Sequence, residues 1–302
     1  MIKFIKNNIL FSFYFASGLV LLISLTNLFI QKKADFKLKN NIKYVVFGNS
    51  HPECAFNDSL ISNFKNLADS GESYFYTYQK AKQVLKQNPQ IETVFIEYST
   101  SNINKSEDEK IWNNTHLNFH FPRYSAFINL PDNLFLFSKN ANTYLKTLPI
   151  SLKYKLTRII TNNYEFINAT GGYTSLDKEV SDSLIKTIKT PAKLLNSHLN
   201  NLSIINMEYL EKTIKLCTEY NKKVYLIRTP YHKKHFENAF EADYQKIKNI
   251  KFKNIPLLDF IDFNLKNQEF ADLQHLNKKG ANKFSLWFDS QLKNMSLFNI
   301  KK

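Results

Sequence analysis

Apolar residues fall along this chain in two rhythms. Short unbroken runs, "YVVF" at Tyr44–Phe47, "TVFIEYS" at Thr93–Ser99, "KVYLIRTP" at Lys223–Pro230 and "IPLLDF" at Ile255–Phe260, have the length of buried strands. A briefer run at Lys65–Ala68 predicts one more. Between them the spacing changes to three and four. Ser73–Gln87 carries Tyr74, Tyr78, Ala81 and Leu85 on one helical face and stops at Asn88-Pro89. Helices are also predicted over Asp58–Phe64 (short), Ser203–Tyr220, Phe236–Ile247 and Lys278–Leu292. The last has Asn277 as its cap and an apolar face of Phe284, Trp287, Phe288 and Leu292. Strands alternating with helices predict an α/β fold, a mostly parallel sheet covered on both faces.

Two segments break the alternation. From Asn7 to Gln31 no residue is charged, and Ile9–Ile30 reads "ILFSFYFASGLVLLISLTNLFI", long enough at 1.5 Å per residue to cross a ~30 Å hydrocarbon core. Its exit, "NLFIQKKADF", has bulky residues where a cleaved signal peptide has small ones, so an uncleaved transmembrane anchor is expected. The second break is residues 102–202, rich in Asn, Phe and Tyr, with helices near 133–148 and 151–161 and a "GGY" turn at Gly171–Tyr173. The organisation expected is an anchor over 1–31, a lysine-rich tether over 32–41, and one α/β domain over 42–302. Residues 102–202 are an insertion in that domain, capping the sheet.

Charge adds a constraint. Against 26 acidic residues stand 41 basic ones, a net charge of +15. Only Arg123, Arg158 and Arg228 are arginines, and the lysines are scattered, whereas bidentate reading of phosphate and guanine favours arginine. Anionic surfaces fit this distribution better than nucleic acid does. Cys54 and Cys217, far apart in sequence, have no metal-ligand spacing, and a single disulfide between them is open. His116, His120, His198 and His235 have no metal spacing with acidic or cysteine neighbours either, so no metal and no cofactor are expected.

The chemistry is concentrated at the first strand end. In "YVVFGNSHPE" the apolar run stops at Gly48 and presents Ser50 two residues later. Gly, Asn and Ser are ordinary turn residues, so a plain loop is one reading. A nucleophilic serine is the other, and it needs a base with a partner that fixes the base's tautomer. "FADLQHLNKKGANKFS" at Phe270–Ser285 supplies both: Asp272 and His275, three apart, between the last strand and the last helix. Parallel sheets gather such strand ends at one crevice.

"FGNSHPE" followed much later by "DLQHLNKKGA" resembles the SGNH (GDSL-like) hydrolase superfamily, and in particular its membrane-anchored branch associated with acyl transfer on cell-surface polymers. The resemblance covers roughly Ile42–Ser99 and Leu202–Leu292. It implies a three-layer, flavodoxin-like sandwich, with Ser50 as nucleophile, His275 as base and Asp272 as its orienter. It implies oxyanion donors at the Ser50 amide, at Gly71 in "NLADSGES" and at Asn102, although the Asn102 segment lacks the family's usual Gly-x-Asn-Asp. Position 49 also departs: Asn49 stands where the family usually has Asp. The activity implied is that of a serine esterase or O-acyltransferase acting on an acylated cell-envelope polysaccharide or a related ester, with a membrane acyltransferase as a further partner. A non-catalytic accessory protein of the same fold is the alternative.

The resemblance puts the large domain outside the cytoplasm. Charge points the other way, because Lys32, Lys33, Lys37 and Lys39 after the span outnumber Lys3 and Lys6 before it. The remaining candidates have plainer readings. His51 reads as a loop histidine, because neighbours on a turn point apart, and Glu97 as a hydrogen-bonded strand end. Asp259 reads as a loop-fixing residue. Arg228 and His232 could bind an anionic substrate group, or Arg228 could form a structural ion pair.

Overall fold

The computed structural model describes residues 1–180, 202–234 and 238–294. Five strands, β1 (Tyr44–Phe47), β2 (Phe64–Asn66), β3 (Thr93–Glu97), β4 (Lys223–Arg228) and β5 (Leu257–Asp259), form one sheet in the order β2-β1-β3-β4-β5. Every pairing is parallel, with Val46 opposite Asn66 and Phe95, and Ile227 opposite Leu258. This is the flavodoxin-like order, with its topological switch beside β1, where ligand crevices form outside the strands' carboxyl ends. The expected α/β fold is present.

Strand burial explains the continuous apolar runs. Every residue of β3 is buried, as a central parallel strand between two helical layers must be. On one face, Val46, Phe95, Ile227 and Leu258 pack with Ala55 of α2 (Ser50–Ala55) and with Phe284 and Phe288 of α10 (Lys278–Lys293). Helices α3 (Tyr74–Gln87) and α8 (Ile205–Glu219) pack on each other, with the Phe75 and Tyr209 rings 4.8 Å apart. Helix α9 (Asn238–Lys251) sends Tyr244 to stack on Tyr98 at 4.6 Å, and each tyrosine hydroxyl donates to the other's carbonyl.

Three boundaries differ from the sequence reading. The segment Asp58–Phe64 holds only a 3-10 turn, Asp58–Leu60, capped by Asn57. Helix α2, carrying the serine, has no apolar rhythm to announce it. The β3–β4 crossover holds α4 (Ser106–Trp112), α5 (Asn114–Tyr124), α6 (Leu130–Lys139) and α7 (Ala141–Ile160). Helix α7 runs straight through Pro149, and the break that was expected near 149 falls at Asn140, which caps α7 through Thr143. The start of the helix predicted from Phe236 lies outside the described residues, as do His198 and His235.

The chain forms two compact units. One contains residues 36–112 and 167–302, with the sheet. The other contains residues 1–35 and 113–166: the apolar helix α1 (Ile2–Lys33) and helices α5 to α7. The stretch Lys3–Lys33 is long and apolar enough to cross a membrane, with a mean hydropathy of 2.1 over its most apolar 18 residues.

In the sheet unit, a fully buried ion pair fixes the chain after β2. Lys80 lies 2.8 Å from Glu72 and donates at 2.5 Å to the carbonyls of Leu67 and Thr170. Beyond Thr170 the chain runs past both halves of the site: Thr174 N–H donates to Glu53 O, and Val180 N–H to Phe270 O.

Candidate active site

Each element brings its side chain to the carboxyl edge of the sheet. Strand β1 ends at Phe47, and Gly48 and Asn49 turn the chain so that Ser50 opens α2. Gly48 has no room for a side chain: a Cβ there would lie 2.6 Å from Glu97 Cβ and 2.5 Å from Pro52 Cγ. The Asn49 side chain accepts from His51 N–H at 3.0 Å and so caps α2. From β2, Asn66 donates to the carbonyls of Pro52 and Phe56, at 2.8 and 2.9 Å, which moors the short helix from below.

The second half comes from the loop after β5. Asp272 Oδ1 accepts from the amides of Gln274 and His275, at 2.8 and 2.9 Å, which curls the D-x-x-H turn around the carboxylate. His275 Nδ1 lies 3.0 and 3.1 Å from the two Asp272 oxygens, and His275 Nε2 lies 2.8 Å from Ser50 Oγ. A carboxylate only accepts, so the Nδ1 proton faces Asp272 and a neutral ring turns its Nε2 lone pair to the serine. Burial raises the Asp272 carboxyl, but the His275 ring and the two loop amides outweigh it and hold the group well below the usual carboxylate range. Ser50, Asp272 and His275 are therefore brought together, across 225 positions of sequence.

His51 departs from the sequence reading. It is buried in the first turn of α2, its ring 5.2 Å from that of His275. Its Nδ1 lies 2.8 Å from Glu97 Oε1 and 3.0 Å from the Tyr231 hydroxyl. Glu97 Oε2 accepts from Asn49 N–H at 2.7 Å, so one fully buried carboxylate holds both sides of the serine turn. That role answers the departure at position 49: with Glu97 already bonded to this amide, the uncharged Asn49 adds an acceptor without a second buried negative charge. Glu97 is a hydrogen-bonded strand end, as read, but its support of the turn has no signal in the sequence beyond its place at the end of β3.

We expect Glu97→Ala to destabilise the fold by about 1–3 kcal/mol through the Asn49 amide alone, the cost of a buried donor left without an acceptor. Urea unfolding measures it, and Glu97→Gln, which restores an acceptor, should recover most of the loss.

The other candidates divide. Gly71 lies after β2 with φ +68°, a backbone setting that favours glycine. Asn102 is buried after β3, and its Oδ1 accepts from the Ser99 amide and hydroxyl at 3.0 and 2.8 Å. Its carbonyl oxygen is committed to the loop, and the Nδ2 group is the donor an oxyanion would need.

Arg228 has the setting of the structural ion pair that is one of its two sequence readings. Its guanidinium is held by Asp259 and Glu241, with contacts of 2.9 and 2.7 Å, and lies over the Tyr244 ring at 4.4 Å. Burial would lower it, but those carboxylates raise its pKa. The structural ion pair is what the geometry supports, and Asp259 also fixes its loop by accepting from Ile261 N–H. Both ring nitrogens of His232 are engaged: Nδ1 accepts from Lys234 N–H, and Nε2 meets Asn267 Oδ1, 3.0 Å away. Its backbone amide donates to Leu273 O, so it braces the loop that carries Asp272.

Cys54 and Cys217 are free, buried thiols, each pushed up to about 12 chiefly by burial. Neither is a competing nucleophile near neutral pH.

A protein-family model that carries no functional description matches residues 156–297, less than half of the chain. No curated protein matches the chain significantly. Among solved structures, a GDSL-like lipase from Bacteroides thetaiotaomicron VPI-5482 is 10% identical, covering 90% of this chain and 99% of its own, with a TM-score of 0.37. A protein provisionally described as an acylhydrolase, from Bacteroides fragilis NCTC 9343, is 13% identical, covering 89% and 95%, with a TM-score of 0.38. Scores at that level carry no argument. The fold rests on the sheet order, and the chemistry on the distances around Ser50.

Proposed function

We infer that this protein is a membrane-anchored serine esterase or O-acyltransferase of the SGNH type. The observation that carries the reading is the unbroken line Ser50 Oγ, His275 Nε2, His275 Nδ1, Asp272, with 2.8 Å at the serine end. Ser50 Oγ attacks an acyl carbonyl while His275 Nε2 takes its proton, and Asp272 holds the tautomer and stabilises the imidazolium. The amides of Ser50 and Gly71, with Asn102 Nδ2, receive the charge that develops on the carbonyl oxygen. The imidazolium then protonates the departing alkoxide. Water or a sugar hydroxyl, deprotonated by the same ring, takes the acyl group from Ser50.

The proposed substrate is an acylated cell-envelope polysaccharide or a related ester. The resemblance in the serine and histidine motifs supports that choice. The apolar helix α1 supports a single-pass anchor, with the catalytic unit proposed on the extracytoplasmic side.

A fluorophosphonate probe tests the chemistry directly. Full-length protein in detergent should form one adduct, on Ser50, and Ser50→Ala should form none. A folded wild-type protein that takes no label would overturn the catalytic reading and favour an accessory role.

A further inference from the structure

In the helical unit, α7 turns a polar face inward. Helix α7 buries Thr143, Thr147, Ser151, Lys155 and Arg158, a polar stripe with no aliphatic member. Each residue of the stripe has a polar partner within the unit, though Arg158 Nε is left without one. Thr147 Oγ1 donates to Asn118 at 2.8 Å, Ser151 meets Ser125 at 2.5 Å, and Lys155 donates to Asn27 of α1 at 2.5 Å. Leu117, Phe121, Leu136 and Phe166 supply the unit's apolar core, and a second set of apolar side chains faces outward. Leu130, Leu134 and Phe137, spaced by four and three on α6, are 70, 58 and 41% exposed, and Leu145 and Ile150 of α7 are 54 and 47% exposed. Phe119 of α5 adds to them. Helix α6 meanwhile buries Asp132.

A helix on a water-soluble protein has the opposite pattern, apolar inside and polar outside. Side chains that hydrogen-bond inward and present leucine outward match a surface whose solvent is lipid.

We propose that the outer face of α6 and α7 is embedded in the headgroup zone of the bilayer, beside the point where α1 leaves it. Two further observations select a bilayer as the occupant. The same unit contains α1, which packs on these helices only through its last turns: Thr26 and Ile30 are buried, Gln31 donates to Ala126 O, and the turns before them are exposed. Exposed lysines, Lys139, Lys146 and Lys153, are interleaved with the leucines. Lysines can lay their alkyl stems along the apolar surface and carry their charge to anionic headgroups. Neither α6 nor α7 is a second span: α6 has 10 residues, and the charged residues on α7 break its apolar face. This inference rests on the proposed anchor, and the test separates the two.

The full-length protein is reconstituted into vesicles of phosphatidylethanolamine and phosphatidylglycerol, with an environment-sensitive fluorophore on a single introduced thiol. Leu134→Cys and Ile150→Cys report the face, Leu22→Cys reports the anchor, and Lys215→Cys, on the exposed face of α8, reports water. The native thiols are buried and protonated and label slowly. Interfacial helices sit ~5–10 Å into the headgroup boundary, so a doxyl group near the lipid glycerol should quench positions 134 and 150 by about half, and one near the end of the acyl chain should quench position 22. Position 215 should be unaffected. If position 22 is quenched but 134 and 150 behave like 215, the inference falls and the anchor stands. If 22 is also unquenched, both fall. A blue-shifted fluorophore at 134 that lipid does not quench would mean that a protein surface covers the face, which likewise overturns the proposal.

Discussion

Replacing Ser50 with alanine should cut kcat for a short-chain chromogenic ester by about a millionfold, with no loss of fold. The residue is only half-buried, opens a helix that Asn49 caps, and makes its one functional contact through Oγ. Alanine removes the nucleophile and leaves the Asn66 tethers, the Glu97 brace and the Asp272 turn untouched. Turnover and a urea melt on the same sample make the comparison. A variant that unfolds like wild type and still turns over substrate at the wild-type rate would remove the serine from the mechanism.

The second large effect is expected at Asp272→Asn, a fall in kcat of about 10⁴-fold. Asparagine keeps an acceptor oxygen for the Gln274 and His275 amides, so the turn survives. Its amide nitrogen is then left to face the imidazole, which favours the proton on Nε2, where it points at Ser50 and leaves no lone pair to take the serine proton. Stability should follow pH with a definite sign. Because the folded carboxyl titrates below its unfolded value of ~3.9, its contribution is present above that pH and disappears as the pH falls through the folded value. The stability gap between wild type and Asp272→Asn should therefore hold steady from neutral pH to about pH 4 and shrink below it. Urea unfolding at stepped pH reads this, and a gap that closed already at pH 6 would contradict the assignment of the stabilisation to this carboxylate.

What could be read from the sequence follows from burial. β1, β3 and β4 are enclosed between helical layers, so their apolar runs are unbroken, and α10 shows its apolar face because it packs on one side only. Ser50, Asp272 and His275 stand out because chemistry of this kind collects at strand ends. The short helix that carries the serine was not legible: "SHPECA" has no periodicity and holds a proline, which a first turn tolerates because the amide it lacks has no partner there. That helix is also why His51 was misread. In a helical first turn it folds under the chain to Glu97, where a loop would have turned it away. Helix α7 was divided at Pro149, yet a proline inside a helix costs a hydrogen bond and a kink and need not end it. Its facing could not be read either, since periodicity locates an apolar stripe without saying whether water or lipid lies beyond it.

The distance between the serine near the start of the sheet unit and the histidine near its end has a consequence for synthesis. Strand β1, at the switch of the sheet, must wait on the ribosome for β3, then for the whole crossover, and the imidazole emerges 225 residues after the serine. A polypeptide cut short before Asp272 thus carries Ser50 without the ring that would take its proton, so the proposed chemistry should be absent from it.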